Sequence, residues 1–357
     1  MYFFTYNLCV TKSKDFFDCS VVVISGGKPR IDLTIQTLNC INNQELQPRE
    51  KIFVNHGHSE EIMKKISNSQ EILKNWKVIT FPINTYDPLN LDSLFKFTGP
   101  ASLSAASSQY VFYISDDDIV DLNFFRRMSI LISDRPEVIV ASGLPVGIDR
   151  NGSKIYPPKG SWETRDKYEH GINVFRNIFK PDELYHPNPG HSYIIKRSFL
   201  EETRSTIFIS GFPDISPLFQ IVPKGLFAFD KEALMIRQNH TEQIHNEWDI
   251  YNTQFNLYIP WFKKMFKINC DIMKDIKYVN KKDLKLIKNY YRRQITRASF
   301  FSIKNRVPDF EPNRQIFRTP ISLKLKYLVY ILLTPVYSIR IIFKPGRLKI
   351  FIDRTIR

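Results

Sequence analysis

Residues 110–119 read YVFYISDDDI, an apolar run that ends in three consecutive aspartates, Asp116, Asp117 and Asp118. Three ionised carboxylates a few ångströms apart repel one another by about 3 kcal/mol per pair at an effective dielectric near 20, and by less than 1 kcal/mol in open water. Two arrangements tolerate that: a well-solvated loop, with Asp118 or Asp121 capping the next helix, or a cation between the carboxylates. A hard divalent ion, Mg2+ or Mn2+, is bound by one or two such oxygens and shares its remaining positions with phosphate groups. On that reading Asp116 and Asp118 are the metal ligands. Other groups with chemistry to offer are scattered along the chain: Ser25-Gly26-Gly27-Lys28, Asn55-His56-Gly57-His58, Asp214, Arg237 and His240. His186 and His191 flank the segment PNPG and are weaker candidates for contact with an acceptor. His240 and His245 lie five positions apart, the wrong spacing for one helix face, so they make no zinc pair.

The elements that must position these groups follow from hydrophobic pattern. VVVIS (21–25), KIFVN (51–55), KVITF (77–81), YVFYI (110–114) and EVIVAS (137–142) are short, β-rich apolar runs and predict strands. Between them, Ile31, Ile35, Leu38 and Ile41 recur at helical spacing, SEEIMKKIS predicts a helix capped by Ser59, and LNFFRRMSILIS predicts another. Gly99-Pro100 breaks the segment 91–108, which is expected to be helical only in pieces. Alternating helices and continuously apolar strands imply a mostly parallel sheet covered on both faces. Ligands bind such sheets beyond the carboxyl ends of the strands, where Ser25-Gly26, Asn55-His56 and Asp116–Asp118 all fall. From about 145 to 190 the pattern becomes irregular and rich in Pro and Gly, as binding loops are. Order returns with SYIIK, RSFLEE, DISPLFQIV and the strand LFAF.

This order of elements and motifs resembles the inverting GT-A glycosyltransferases of family 2. The aspartates 116–118 match that family's DxD-type motif. In GFPDISPLFQIVPKG, Asp214 precedes Gly225 by eleven residues and matches the family's catalytic base. In FAFDKEALMIRQNH, Arg237 and His240 match its Arg-x-x-His ending. The resemblance covers about residues 20–245 and implies a Rossmann-like α/β domain and a nucleotide-sugar donor. The donor site would be formed by Ser25, Gly26, Lys28, Asn55, His56, Asp116, Asp117, Arg237 and His240. It further implies metal assistance from Mg2+ or Mn2+ and single-displacement transfer with Asp214 as base. Asn55 and His56 stand where the family shows Asp, so the donor's base does not carry over. Lys28 and Arg30, near the end of the first strand, are cations that can meet the nucleotide or simply a solvated turn.

Charge separates the chain into two parts. Residues 1–260 hold 27 Lys/Arg against 30 Asp/Glu, whereas residues 261–357 hold 24 against 6. The expected domains are therefore a catalytic GT-A domain over 1–250 and a basic, helical, membrane-associating region over 251–357. The uncharged stretch YLVYILLTPVYSI has 13 residues, short of the roughly 20 that a spanning helix needs, and contains Pro335. Such a segment suits peripheral docking on an anionic leaflet and a glycan or glycolipid acceptor there. The apolar content of 320–343 fits lipid better than nucleic acid. Four scattered cysteines without a CxxC pair, and a start with no signal-peptide pattern, predict a reducing, cytoplasmic location at the inner face of the cell membrane. A sugar nucleotidyltransferase and a non-enzymatic basic nucleic-acid-binding protein are the alternatives. The first would show a fuller Gly-rich phosphate loop after strand one, the second a recognisable nucleic-acid motif.

Overall fold

Each apolar run becomes a strand, and the runs line up in one sheet. The computed structural model describes residues 16–26, 30–68, 71–82, 97–148, 154–155, 166–178, 193–208, 220–238, 267–277 and 279–288. Contacts divide the chain into a unit of Met1–His240 with Ile272–Val279 and a second of Thr241–Asp271 with Asn280–Arg357. The first unit carries the sheet. In the second, the described residues 281–288 are helical. No helix among the described residues is long and apolar enough to cross a membrane.

The strands are β1 (Phe16–Gly26), β2 (Gln47–His56), β3 (Lys77–Phe81), β4 (Tyr110–Ser115), β5 (Asp118–Val120), β6 (Val138–Ile148), β7 (Lys154–Ile155), β8 (Tyr168–His170), β9 (Tyr193–Lys196) and β10 (Leu226–Gln238). They form a ten-stranded sheet of order β3-β2-β1-β4-β9-β6-β10-β5, with β7 on β6 and β8 on β10. The main pairings β3–β2, β2–β1, β1–β4 and β6–β10 are parallel. The short strand β9 runs antiparallel between β4 and β6, where a wholly parallel core would have none. This is a mixed α/β sheet of the GT-A type.

Helices α1 (Ile31–Asn42) and α2 (Glu60–Ser67) connect β1 to β2 and β2 to β3, and α3 (Thr98–Ala105) leads back to β4. Right-handed crossovers put α1 and α2 on one face and the returning α3 on the other. Side chains of β4 report both faces. Phe112 packs against Phe124 and Phe125 at the start of α4 (Phe124–Asp134), while Tyr113 meets Ser102 of α3 and Phe208. The central strands are dry, with Val21, Val22, Val23, Ile52, Phe53, Val54, Val111 and Phe112 all fully buried. Each such side chain contributes about 1.5–3 kcal/mol through burial.

Helix α3 starts at Thr98, so Gly99-Pro100 fall in its first turn, where proline removes no intrahelical bond. Two sequence expectations need adjustment. The irregular stretch 145–190 contains the end of β6, the short strands β7 and β8, and α5 (Gly171–Ile178). Neither Asp118 nor Asp121 caps α4, whose N-cap is Asn123. Asp118 instead opens β5, and Asp121 accepts from Leu234 N at 2.9 Å, tying that turn to β10. Ser59 does cap α2, accepting from Ile62 N. DISPLFQIV falls mostly outside the described residues, which resume at Gln220.

Candidate active site

Parallel register brings the polar clusters to one edge. Ser25 pairs with Asn55 and Gly26 with His56 across β1–β2, and Ile24 pairs with Ser115 across β1–β4, so Asp116 begins where β4 ends. Gly26 is required by that closeness: a Cβ there would lie 3.0 Å from both Cβ and the carbonyl oxygen of His56. β10 ends at the same edge, and its Arg237 stands opposite Asp118 in the antiparallel β5–β10 ladder.

The aspartates are not on a solvated loop. Asp116, Asp117 and Asp118 are all buried, at 0%, 7% and 5% exposure. Arg30 supplies the opposing charge: Nη2 donates to Asp116 Oδ1 at 2.5 Å and Nη1 to Asp117 Oδ2 at 2.7 Å. The other oxygen of Asp116 accepts from Ser25 Oγ at 2.5 Å and from Thr34 Oγ1 at 3.2 Å. Burial pushes the Asp116 carboxyl up to about 6, and Asp117 adds to the rise, while Arg30, Ser25 and Thr34 hold it back.

Ser25 also lies 2.7 Å from His58 Nε2. Because its hydroxyl proton is directed at Asp116, the serine oxygen accepts there and His58 carries its proton on Nε2. Burial, with Arg30 and His56 adding to it, lowers the His58 pKa and favours the neutral ring. Asn55 spends its carboxamide on the same loop, Oδ1 accepting from His58 N at 2.8 Å and Nδ2 donating to His58 O at 3.2 Å. The nearby ring of His56 meets the ring of Phe81 edge-on at 6.0 Å.

One face of α1, continued by Gln44 just past its C-terminal end, acts as a ruler for residues 116–121. Thr34 bonds the Asp116 carboxylate, Thr37 Oγ1 donates to Asp118 O at 2.8 Å, Cys40 Sγ to Val120 O at 2.8 Å, and Gln44 Nε2 to Asp121 O at 2.9 Å. Helical spacing of three or four residues thus matches the advance of an extended segment. Small polar residues recurring at 34, 37, 40 and 44 were the available signal for this face, which the apolar positions 31, 35, 38 and 41 overshadowed. Arg30 was legible, with Lys28, as a cation near the first strand end, but its partners were not.

The structure therefore brings together Ser25, Gly26, Asn55, His56, Asp116, Asp117, Asp118 and Arg237. Lys28, His186, His191, Asp214 and His240 lie outside the described residues. Among the described residues no group of three or more His, Cys, Asp or Glu is placed to hold a metal ion. Asp116 does not fit as a metal ligand in this arrangement, since both its oxygens are engaged and a guanidinium already lies against one of them. Asp118, the other expected ligand, opens β5 at the same edge; a single carboxylate is sufficient for Mg2+ when phosphates complete the shell.

No family model matches the chain, and no curated protein matches it in sequence. Solved structures do match in fold. S. aureus TarS 1–349 in complex with UDP-GlcNAc superposes with a TM-score of 0.55 at 10% identity, over 87% of this chain and 78% of that one. The same fragment in complex with UDP gives 0.52 at 10% identity, over 87% and 77%. A longer TarS structure gives 0.53 at 12%, over 85% of this chain and 46% of that one. At these identities the likeness establishes a shared fold.

Proposed function

We propose that this chain is an inverting glycosyltransferase that moves a sugar from a nucleoside-diphosphate donor to a hydroxyl of a glycan acceptor. The observation that carries the reading is the convergence of Ser25-Gly26, Asp116–Asp118 and Arg237 at the carboxyl edge of the sheet. That edge is where open α/β sheets bind nucleotides. TarS, which shares the fold, has structures with UDP and UDP-GlcNAc, so a UDP-sugar is the first donor to test.

The residues would divide the work as follows. Gly26 at the end of β1 lets that strand close on His56 at the donor edge, since a Cβ there would press on His56. Arg237 offers a guanidinium to the diphosphate. Mg2+ or Mn2+ held by Asp118 would act as a Lewis acid on the leaving diphosphate. Asp214, in the sequence position of the family's base, would take the acceptor proton as the hydroxyl attacks from the opposite side of the sugar. The basic region 251–357 would rest on the anionic inner leaflet and bring the site to a lipid-linked glycan acceptor, each surface-facing Lys or Arg contributing about 1 kcal/mol.

The test is transfer itself. Full-length protein, UDP-GlcNAc and Mn2+ are incubated with membrane glycolipid extract, and release of UDP is followed. Acceptor-dependent release that Asp214→Asn lowers about 100-fold supports the reading. Release that ignores both the acceptor and that substitution contradicts it. Flotation with anionic vesicles, for the full chain against one ending near residue 318, tests the membrane role separately.

A further inference from the structure

We infer that Arg30 is a built-in cation for the acidic cluster, a positioning residue occupying the place between Asp116 and Asp117 that a metal ion would otherwise fill. This rests on the donor-site reading of that edge but concerns how the cluster is assembled before any donor arrives.

The geometry is that of a bridge. One nitrogen of the guanidinium fork goes to each carboxylate, at 2.5 Å and 2.7 Å. A planar fork sends one nitrogen to each carboxylate with its geometry already set, which the point-like, flexible ammonium of lysine matches less well. The side chain is 8% exposed, so the pair lies out of bulk water and is little screened. Its backbone is held as well: Arg30 is the N-cap of α1, and its carbonyl accepts from Thr34 N at 2.9 Å and Thr34 Oγ1 at 3.0 Å. The same threonine hydroxyl lies 3.2 Å from Asp116 Oδ2, so its single proton is shared between the Arg30 carbonyl and that carboxylate.

Arg30 Nε is buried without a hydrogen-bond partner. An orphaned N–H is unfavourable, and its presence shows that the two carboxylates, rather than the full hydrogen-bonding capacity of the arginine, decide where the side chain lies. A divalent ion at Asp116 would have to sit beside this guanidinium in a buried site. Like-charge repulsion opposes that arrangement, and Asp116 has already committed Oδ2 to Ser25 and Thr34. The cluster thus keeps two of its three aspartates folded and oriented with protein charge alone. Ser25 and His58 complete the brace around Asp116.

The experiment is thermal unfolding of the full-length chain without nucleotide, in EDTA and in Mn2+, for wild type, Asp116→Asn, Arg30→Met, Arg30→Lys and the double variant Arg30→Met/Asp116→Asn. Wild type should respond to Mn2+ little, and Asp116→Asn should not alter whatever response there is. Arg30→Met should unfold earlier and recover by about 2 °C or more in Mn2+, because the ion then neutralises carboxylates left without a partner. That recovery should vanish in the double variant and be smaller in Arg30→Lys. A purely structural arginine would lower the melting temperature without creating a metal response. The inference is overturned if Mn2+ stabilises nucleotide-free wild type through Asp116, or if the Arg30 variants gain no metal response. Should Arg30→Met not fold, Arg30→Lys and the wild-type response decide. No donor is present, so failure here is distinct from failure of nucleotide-sugar binding, which calorimetry with UDP-GlcNAc reads separately.

Discussion

Asp118 and Arg237, 119 residues apart in sequence, stand opposite each other across the antiparallel β5–β10 ladder. Directly opposed residues on such a pair project from the same face. Arg237 Nε is buried without a hydrogen-bond partner, and we expect its guanidinium to serve a ligand at this edge rather than the fold. Arg237→Met should therefore leave the melting temperature within about 2 °C of wild type. Affinity for UDP should fall about tenfold or more as a charge-assisted contact to phosphate is lost. Calorimetry alongside thermal unfolding checks both; a collapse of stability with unchanged affinity would reassign Arg237 to the scaffold.

Thr37 offers a test of the α1 ruler. Its fully buried hydroxyl holds the carbonyl of Asp118, and valine has the same shape without the donor. Thr37→Val should cost about 1–3 kcal/mol, because a buried carbonyl loses its partner. Donor affinity should fall with it, since Asp118 begins at that peptide. Denaturant unfolding and UDP titration measure the two effects; a neutral outcome in both would remove the ruler from the account.

A buried and a half-buried carboxylate predict opposite pH effects on stability. The folded-state pKa of Asp116 is raised from 3.8 to about 6, so between these values the folded chain holds a proton that the unfolded chain has released. Its stabilising contribution is present below the unfolded value and is lost as pH rises through about 6. Glu50 works the other way. Burial opposes its charge, but bonds from Ser107, Ser20 and Lys77 outweigh it and hold the carboxyl well below its ordinary 4.5. Its contribution is present above 4.5 and is lost as pH falls. Melting curves against pH should show Asp116→Asn removing a decline above about pH 4, and Glu50→Gln flattening the acid limb. The reverse assignment would contradict the environments described for both.

The central strands were legible because burial on both faces demands continuous apolar runs, and VVVIS, KIFVN and YVFYI satisfy it locally, whereas KVITF forms the edge strand β3 with Val78 exposed. Their observed bounds are wider, since β2 begins at Gln47 and β6 continues to Ile148 through neighbours supplied from elsewhere in the chain. The antiparallel placement of β9 could not be read from YIIK, whose pattern carries no direction. At the site, the strand-end rule gathered Ser25, Asn55 and the aspartates correctly, because parallel register puts all carboxyl ends at one edge. What the pattern missed was pairing: Arg30 with Asp116 and Asp117, and Asn55 with His58. Such pairs depend on where a loop folds back, which residue type alone does not encode.

The central claim is that the edge formed by Ser25-Gly26, Asp116–Asp118 and Arg237 holds a nucleotide-sugar diphosphate. The most direct measurement is calorimetric titration of the full-length chain with UDP-GlcNAc in Mg2+ or Mn2+, repeated with Asp118→Ala and with EDTA. The account predicts saturable binding by the wild type that weakens at least about tenfold, roughly 1.4 kcal/mol, in both the variant and the chelator. Binding of equal strength in wild type, variant and chelator would contradict it, as would no binding by the wild type to UDP-, GDP- or CDP-sugars at millimolar concentration.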